Sequence, residues 1–257
     1  MKYGMPTLVE CNGINECIEV AERLKLDFIE INMSFPEYLP SALDTEYLRR
    51  VTAEKGIGYT IHADEMLNPF DFNRKVSEVY FDVMRDTIRF AKSIRATVIN
   101  MHLLRGVYVT TPDKVLLLTD VYRAEYLTRV RAFIEMCERE IGECGLKIAI
   151  ENVDTNPFTS AQLEALDCFM QSSVFALTLD TGHEYCLCAK DSHVYEKYPE
   201  KLIHMHLHDA EGRSAHLPLG SGKVDIQNKL SLLHGDTCLV EVKTVRGLEE
   251  SLAYLRR

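Results

Sequence analysis

The feature that most constrains the fold is a short apolar run that recurs along the chain. Each run ends in a polar residue and is followed by a helical pattern. Eight such runs occur, at residues 6–10, 28–33, 59–62, 97–102, 147–152, 175–180, 202–208 and 237–242. Strands that alternate with helices in one unbroken series predict a parallel sheet. The sequence therefore indicates the α/β class.

The segments between these runs carry the periodicity and the end signals of helices. One apolar face is predicted on Val76, Tyr80, Val83, Met84, Ile88 and Ala91, and a second on Leu127, Val130, Phe133, Ile134, Cys137 and Ile141. Asp44 is predicted to begin a helix that Gly56 ends. Thr159 and Gln162 have the spacing of a capping box, which predicts another helix start.

The number of strands and the chain length decide between two parallel architectures. Eight units in 257 residues leave about 32 residues for each, which is typical of a closed (β/α)8 TIM barrel. An open doubly wound sheet would favour a glycine-rich phosphate turn after its first strand, and residues 10–13 do not form one. No linker or low-complexity tract divides the chain. We expect a single barrel domain over residues 1–257.

Charge and composition narrow the class of partner. The formal net charge of −10 opposes binding to a phosphate backbone, so a nucleic-acid partner is disfavoured. The sequence has neither a signal-peptide pattern nor an 18-residue apolar stretch, and we expect a cytoplasmic protein with no membrane partner. The eight cysteines lack zinc-ribbon spacing and are expected to be reduced thiols. The sequence leaves a homo-oligomer open.

Acids, imidazoles and one amide stand at the ends of the predicted strands, where packing does not require them. They are Glu10, Glu30, Asn32, His62, His102, Glu151, Asp180, His206, His208 and Glu241. The carboxyl ends of barrel strands converge on one mouth, where the active site of this architecture is built. Carboxylates crowded there repel one another, so either some are protonated or a cation compensates them. A divalent metal is the simpler solution, and Mn²⁺, Mg²⁺, Co²⁺, Fe²⁺ or Zn²⁺ fit these ligand types.

Several short motifs in this set resemble those of the xylose isomerase-like TIM barrels. That family includes sugar phosphate isomerases and epimerases, ketose epimerases, inosose-processing enzymes and apurinic-site (AP) endonucleases of family 2. The resemblance covers nearly the whole chain. The matching residues are Glu151-Asn152 after the fifth run, Asp180 and His183 after the sixth, His206 and Asp209 after the seventh, His216 with Gly220 and Gly222 beyond it, and Glu241 after the eighth.

The resemblance implies roles for these positions. Glu151, Asp180, His206 and Glu241 would hold one divalent metal ion, and Glu151 and Glu241 would also be the catalytic carboxylates. His183 and Arg213 would contact substrate hydroxyls. The metal residues are separated by 29, 26 and 35 residues, each close to one βα unit, as a barrel requires.

The endonuclease branch of the family matches two further histidines. His62 and His102 correspond to its strand-three and strand-four histidines, and they would either bind a second metal with a bridging Glu151 or line the pocket. His216 is a further candidate for a second metal or for substrate. The endonucleases carry an aspartate two residues before the position of His216, where this chain has Ser214. That difference argues against a three-metal cluster and phosphodiester hydrolysis.

The expected function is that of a metal-dependent isomerase or epimerase. Its substrate would be a sugar, a sugar phosphate or a related hydroxy-ketone, converted through a metal-stabilised enediolate. An inosose-type dehydratase is the main alternative, ahead of an AP-endonuclease-like phosphodiesterase and a non-catalytic sugar-binding barrel. Three local expectations accompany this prediction. His204 is a structural core histidine, Lys243 either reaches the mouth or forms a salt bridge, and residues 220–223 are a weaker candidate for a phosphate cradle.

Overall fold

Eight parallel strands form the centre of the molecule and close on themselves. The computed structural model describes residues 1–153 and 156–256. Its strands are β1 (Lys2–Pro6), β2 (Phe28–Asn32), β3 (Gly58–His62), β4 (Val98–His102), β5 (Tyr108–Thr110), β6 (Val115–Leu117), β7 (Lys147–Glu151), β8 (Phe175–Asp180), β9 (Leu202–Leu207), β10 (Asp209–Glu211), β11 (Ser214–Leu217) and β12 (Thr237–Val240). Around the barrel the order is β1-β12-β9-β8-β7-β4-β3-β2. The predicted (β/α)8 TIM barrel is confirmed.

Helices follow the barrel strands. They are α1 (Ile14–Leu24), α2 (Thr45–Lys55), α3 (Arg74–Ile94), α4 (Leu118–Val121), α5 (Arg123–Ile141), α6 (Ser160–Gln171), α7 (Thr181–Cys186), α8 (Ser192–Lys197), α9 (Ile226–Leu232) and α10 (Val245–Leu255). The predicted ends of α2 are confirmed. Asp44 Oδ1 accepts the backbone N–H groups of Glu46 and Tyr47, and Gly56 ends the helix with a φ of 72°.

The buried face of α3 differs from the predicted one. The structure buries Phe81, Met84 and Ile88, whereas Val76 and Val83 are each 39% exposed. The buried positions are 77, 81, 84, 87, 88, 90, 91 and 94, so the face is rotated slightly away from the two valines. The valines lie at the edge of the packed stripe, where helix periodicity alone does not fix burial.

The first strand was predicted wrongly at residues 6–10. It lies at Lys2–Pro6, where Lys2, Tyr3 and Gly4 pair with β12. Only five residues form the strand, and they include a lysine, a glycine and a proline, so they carry little apolar signal. Glu10 is therefore not at a strand end. Its exposed carboxylate accepts the backbone N–H of Val245 at the start of α10.

Two β-hairpins extend the mouth of the barrel, and the sequence did not predict either of them. Strands β5 and β6 pair in antiparallel fashion after β4, and β10 and β11 do so after β9.

A small apolar cluster inside the barrel is separate from the main core. It consists of the buried residues Val98, Ala149 and Ala176. Because side chains alternate along a strand, Ala149 and Ala176 point to the same side as Glu151 and Asp180. The small apolar cluster thus lies deeper in the barrel than Glu151 and Asp180.

Two further predictions concern membrane-spanning helices and disulfide bonds. No helix in the described part of the chain combines the length and apolar character needed to cross a bilayer. Within those residues, no disulfide joins the cysteines.

The start of α6 gives a test of the local energetics. Thr159 Oγ1 accepts the N–H of Gln162, and Gln162 Oε1 accepts the N–H of Thr159, which confirms the predicted capping box. We expect Thr159→Ala to lower the free energy of unfolding by about 1 kcal/mol, because an N-terminal amide loses its acceptor. Urea denaturation measures the change. Thr128→Ala, at an exposed position inside α5, should change stability by less than about 0.5 kcal/mol. Equal losses in the two variants would show that the cap contributes nothing.

Candidate active site

Four side chains from four adjacent strands meet at the carboxyl end of the barrel. Glu151 ends β7, Asp180 ends β8, His206 lies near the end of β9, and Glu241 directly follows β12. Asp180 and His206 are paired in register across β8 and β9. One ligand atom from each of the four lies within 4.8 Å of the others. The structure therefore brings together the complete predicted metal quartet.

The atoms at the centre of this quartet lie within ion-pair distance of one another but do not form hydrogen bonds. His206 Nδ1 lies 3.1 Å from Glu151 Oε1 and 2.9 Å from Glu241 Oε2. All three atoms are buried, and none has a hydrogen-bond partner among the described residues. Buried polar atoms are costly when unpaired, so convergence of this kind indicates a place for a cation. Three carboxylates and one imidazole are a donor set that fits a divalent metal.

The electrostatics of the quartet depend on His206. Burial alone would raise the pKa of the Glu151 and Glu241 carboxyls, but the His206 imidazole holds the pKa of both well below the usual range. In return, these carboxylates and Glu30 raise the pKa of His206 well above its ordinary value, against the effect of burial. The imidazole and the carboxylates therefore each favour the charged form of the other. A bound divalent cation would favour the ionised carboxylates in the same way and would compete with a proton for His206.

A second cluster surrounds the other oxygen of Glu151. His102 Nε2 lies 3.2 Å and His62 Nε2 3.4 Å from Glu151 Oε2, which also accepts a hydrogen bond from Asn100. His62 Nδ1 lies 2.8 Å from the carbonyl of Ala63, so this nitrogen donates and leaves Nε2 facing Glu151. Burial lowers the pKa of His62, but Glu151 outweighs it and raises the value to about 9. The two histidines thus occupy the place from which a second metal could share Glu151.

The remaining candidates are divided between the cavity and the surface. His183 lies in α7 with Nδ1 3.4 Å from Asp180 Oδ2, and it lines the cavity. His216 also lines it, on the side of Glu241, where its Nδ1 is 3.3 Å from the Glu241 carbonyl. Arg213, which was expected to contact substrate hydroxyls, does not lie at the cavity. It is exposed in the turn that joins β10 and β11, and it is not among the described residues that line the cavity.

A cavity of about 690 Å³ is lined by Glu151 and Glu241 of the quartet, and its size suits a small-molecule site. Strand-end side chains form its floor, and loop residues form its rim. Glu65, Met66, Arg105, Val107, Phe158 and Lys243 are on the rim. Lys243 Nζ lies 2.8 Å from Glu241 Oε1, so this residue both reaches the mouth and forms a salt bridge.

The glycine-rich loop after β11 binds a carboxylate of the chain itself. Asp209 Oδ2 accepts the N–H groups of Gly220 and Gly222, and its Oδ1 accepts the N–H of Val224. A Cβ at Gly222 would lie 2.4 Å from the carbonyl oxygen of Ala210, so the close approach requires glycine. The amides that could have bound phosphate are therefore already occupied. Asp209 holds the segment that carries His216 against the barrel.

Three other polar residues of the site had weak sequence signals. Asn100, two positions before His102, was missed, although strand alternation puts both on one face. His208 was noted at a strand end without a role, and it is fully buried against Asp180. His204 was expected to be structural. Its Nδ1 lies 2.8 Å from Thr237 Oγ1 and its Nε2 3.1 Å from Glu30 Oε2, as a satisfied core histidine requires.

Solved structures with the same fold cover essentially the whole chain. A D-tagatose 3-epimerase-like protein has 24% sequence identity and a TM-score of 0.76, with 100% of this chain and 96% of the other covered. The IOLI protein with a bound zinc atom has 19% identity and a TM-score of 0.73, with 99% and 93% covered. The probable 3-DHS dehydratase AsbF from Bacillus anthracis has 13% identity and a TM-score of 0.73, with 100% and 99% covered. At these identities the likeness establishes the fold alone.

Sequence comparison identifies the family directly. No curated protein matches the chain. The family model described as the xylose isomerase-like TIM barrel matches residues 18–257, which span all but the first strand and the beginning of α1. The chain therefore belongs to the xylose isomerase-like TIM barrel family.

Proposed function

We propose that this protein is a divalent-metal-dependent isomerase or epimerase of a sugar, a sugar phosphate or a related hydroxy-ketone. The observation that carries the proposal is the approach of Glu151 and Glu241 to the same nitrogen of His206, from strands on opposite sides of β8 and β9. Two carboxylates that share one centre beneath a small-molecule cavity are suited to moving a proton on and off carbon.

Glu151, Asp180, His206 and Glu241 would hold the metal. When bound, the divalent ion polarises a substrate carbonyl and acidifies the neighbouring C–H bond. The four side chains supply oxygen and nitrogen donors that do not select among Mn²⁺, Mg²⁺, Co²⁺, Fe²⁺ and Zn²⁺. A related fold with a bound zinc atom supports the presence of a metal without fixing its identity.

The two glutamates divide the proton transfers. One of Glu151 and Glu241 removes the proton from the carbon beside the carbonyl, which leaves an enediolate. The other must carry a proton when the substrate binds, and it delivers that proton either to the opposite face for epimerisation or to the neighbouring carbon for isomerisation. Each carboxylate keeps one oxygen outside the quartet centre, Oε2 of Glu151 beside His102 and Oε1 of Glu241 beside Lys243. These cationic or hydrogen-bonding neighbours favour the ionised form, which a base requires.

The other cavity residues bind and orient the substrate in this proposal. His183 faces the cavity beside Asp180 and would contact a substrate hydroxyl. We assign His62 and His102 to the cavity wall, where they fix the outer oxygen of Glu151. A second ion bound by these two histidines and Glu151 is the alternative, and the number of ions per chain distinguishes the two arrangements.

A dehydratase is the second candidate. It would use the same proton abstraction and then expel a β-hydroxyl group, and one structure of similar fold is described as a probable 3-DHS dehydratase. A phosphodiesterase is less favoured, because the net charge is −10 and Ser214 stands where the endonucleases carry an aspartate. A non-catalytic sugar-binding barrel would have no need of a complete quartet.

Proton exchange provides the direct test of the reaction. The metal-loaded protein is incubated in D₂O with a panel of ketoses, ketose phosphates and inososes, and NMR follows deuterium at the carbon beside the carbonyl. We expect exchange with at least one substrate, and a loss of about 100-fold or more in Glu241→Gln, because the variant lacks one proton carrier. Glu250→Gln, on the surface of α10, should react like the wild type.

Other results of that experiment would contradict the proposal. Loss of water with a new carbonyl absorbance would indicate the dehydratase, and nicking of abasic duplex DNA would indicate the phosphodiesterase. Exchange that survives in Glu241→Gln at the wild-type rate would remove Glu241 from the reaction.

Metal binding gives an independent test. Metal-depleted protein is titrated calorimetrically with Mn²⁺, Co²⁺ and Zn²⁺, and we expect one tight ion per chain. Asp180→Asn should weaken metal binding by at least about 10-fold, because asparagine lacks the negative charge that attracts the cation. The asparagine side chain can still accept the N–H of His183 at the start of α7, so the helix cap is kept. Asp225→Asn, which caps the exposed start of α9, is the matched control. Two tight ions would assign a second site to His62 and His102, and equal affinity in Asp180→Asn would exclude Asp180 as a ligand.

A further inference from the structure

His208 is a buried histidine with both ring nitrogens engaged. It follows the last residue of β9, and its side chain is fully buried. It lies between the carboxylate of Asp180 on one side and the backbone of His216 on the other. The proton transfers proposed above do not use it.

The backbone of His216 determines which nitrogen of this ring carries the proton. The His216 N–H points at His208 Nδ1 over 2.8 Å, whereas the Asp209 carbonyl oxygen is farther from the same nitrogen at 3.3 Å, so Nδ1 is the acceptor. A neutral imidazole has one donor and one acceptor nitrogen, and the proton therefore lies on Nε2. His216 adopts a φ of 55°, unusual for a residue with a side chain, in the conformation that directs this amide.

The Nε2–H of His208 is aimed at Asp180. The Nε2 atom lies 2.9 Å from each of the two carboxylate oxygens of that residue. Asp180 Oδ1 also accepts the backbone N–H of His183 at 2.7 Å. Two donors from different elements thus fix the plane of the Asp180 carboxylate, while the same carboxylate faces the other three members of the quartet.

The space for this ring depends on a single glycine. A Cβ placed on Gly182 would lie 2.1 Å from His208 Cε1 and 2.3 Å from Nδ1. No side chain at that position could coexist with the imidazole where it lies. The first turn of α7 is therefore shaped around His208.

We infer that His208 is a positioning residue, which donates from Nε2 to Asp180 and holds that carboxylate in the orientation needed to bind the metal. This inference rests on the proposed metal-dependent function. Outer groups that hydrogen-bond to a ligating side chain commonly change metal affinity 10- to 100-fold when they are removed.

A competing role is that of a metal ligand. Nitrogen atoms of His183, His208 and His216 lie within 4.8 Å of one another, as in a three-histidine site. To bind a metal there, His208 would have to release either the His216 amide or Asp180. Both contacts have hydrogen-bond geometry, and the arrangement therefore favours the positioning role.

The test compares four variants of the full chain with the wild type by their affinity for Co²⁺. Metal-depleted protein is titrated calorimetrically, and the visible absorption of bound Co²⁺ reports on its ligand geometry. We expect His208→Ala to bind Co²⁺ about 10- to 100-fold more weakly, with an altered spectrum. We expect Gly182→Ala to lose affinity too, although alanine favours a helix more than glycine does, because its methyl group displaces the imidazole.

A conservative variant and a control complete the design. In His208→Gln the side-chain amide can still donate to Asp180, so we expect affinity within about fivefold of the wild type. His234→Ala removes an exposed histidine and should leave affinity unchanged. Thermal unfolding of the metal-depleted variants separates loss of the fold from loss of the site. If His208→Ala does not fold, the Gly182→Ala and His208→Gln pair decides the question.

Three results would overturn the inference. Wild-type affinity and spectrum in folded His208→Ala and Gly182→Ala would remove His208 from the support of Asp180. Loss of one whole equivalent of metal, with the affinity of the remaining ion unchanged, would make His208 a ligand of a separate site. Failure of the wild-type protein itself to bind Co²⁺ would overturn the proposed function along with the inference.

Discussion

The site depends on the convergence of carboxylates on one buried imidazole. Glu151 and Glu241 approach the same nitrogen of His206, and Asp180 completes the set, in a mouth largely shielded from water. Acids placed so close together repel strongly unless a positive charge lies among them. The barrel can hold them there because its strands are tied by parallel hydrogen bonding and cannot separate. The fold thus supplies the rigidity that this electrostatic arrangement needs.

Each carboxylate of the quartet is also contacted by a residue outside the quartet. Asn100 holds the outer oxygen of Glu151, Lys243 pairs with Glu241, and His208 contacts Asp180. Each of these residues comes from a different strand or loop. Since each of the three carboxylate ligands is contacted by a neighbour outside the quartet, the site is pre-organised before any substrate enters, and little reorganisation is needed when charge develops on the substrate.

Much of the fold and the centre of the site could be predicted from the sequence. Seven of the eight barrel strands were located because buried parallel strands read as apolar runs, and the quartet followed from their polar ends. The first strand was not predicted correctly, because Lys2, Gly4 and Pro6 interrupt the apolar pattern that marks the other strands. Contacts distant along the chain could not be predicted either. The pairing of His208 with Asp180 depends on a backbone amide eight residues further on and on the absence of a side chain at Gly182.

The carboxylate of Asp209 inside the glycine loop has a consequence for selectivity. Because that loop already encloses an internal anion, it offers no attraction to a charged end of an incoming molecule. Among the described residues that line the cavity, the lysine and arginine side chains are Arg105, after β4, and Lys243, after β12. If the proposed function holds, discrimination between neutral and anionic sugars would depend on these two rim segments. Under that proposal, a redesign for a different carbohydrate would vary them and leave the glycine loop intact.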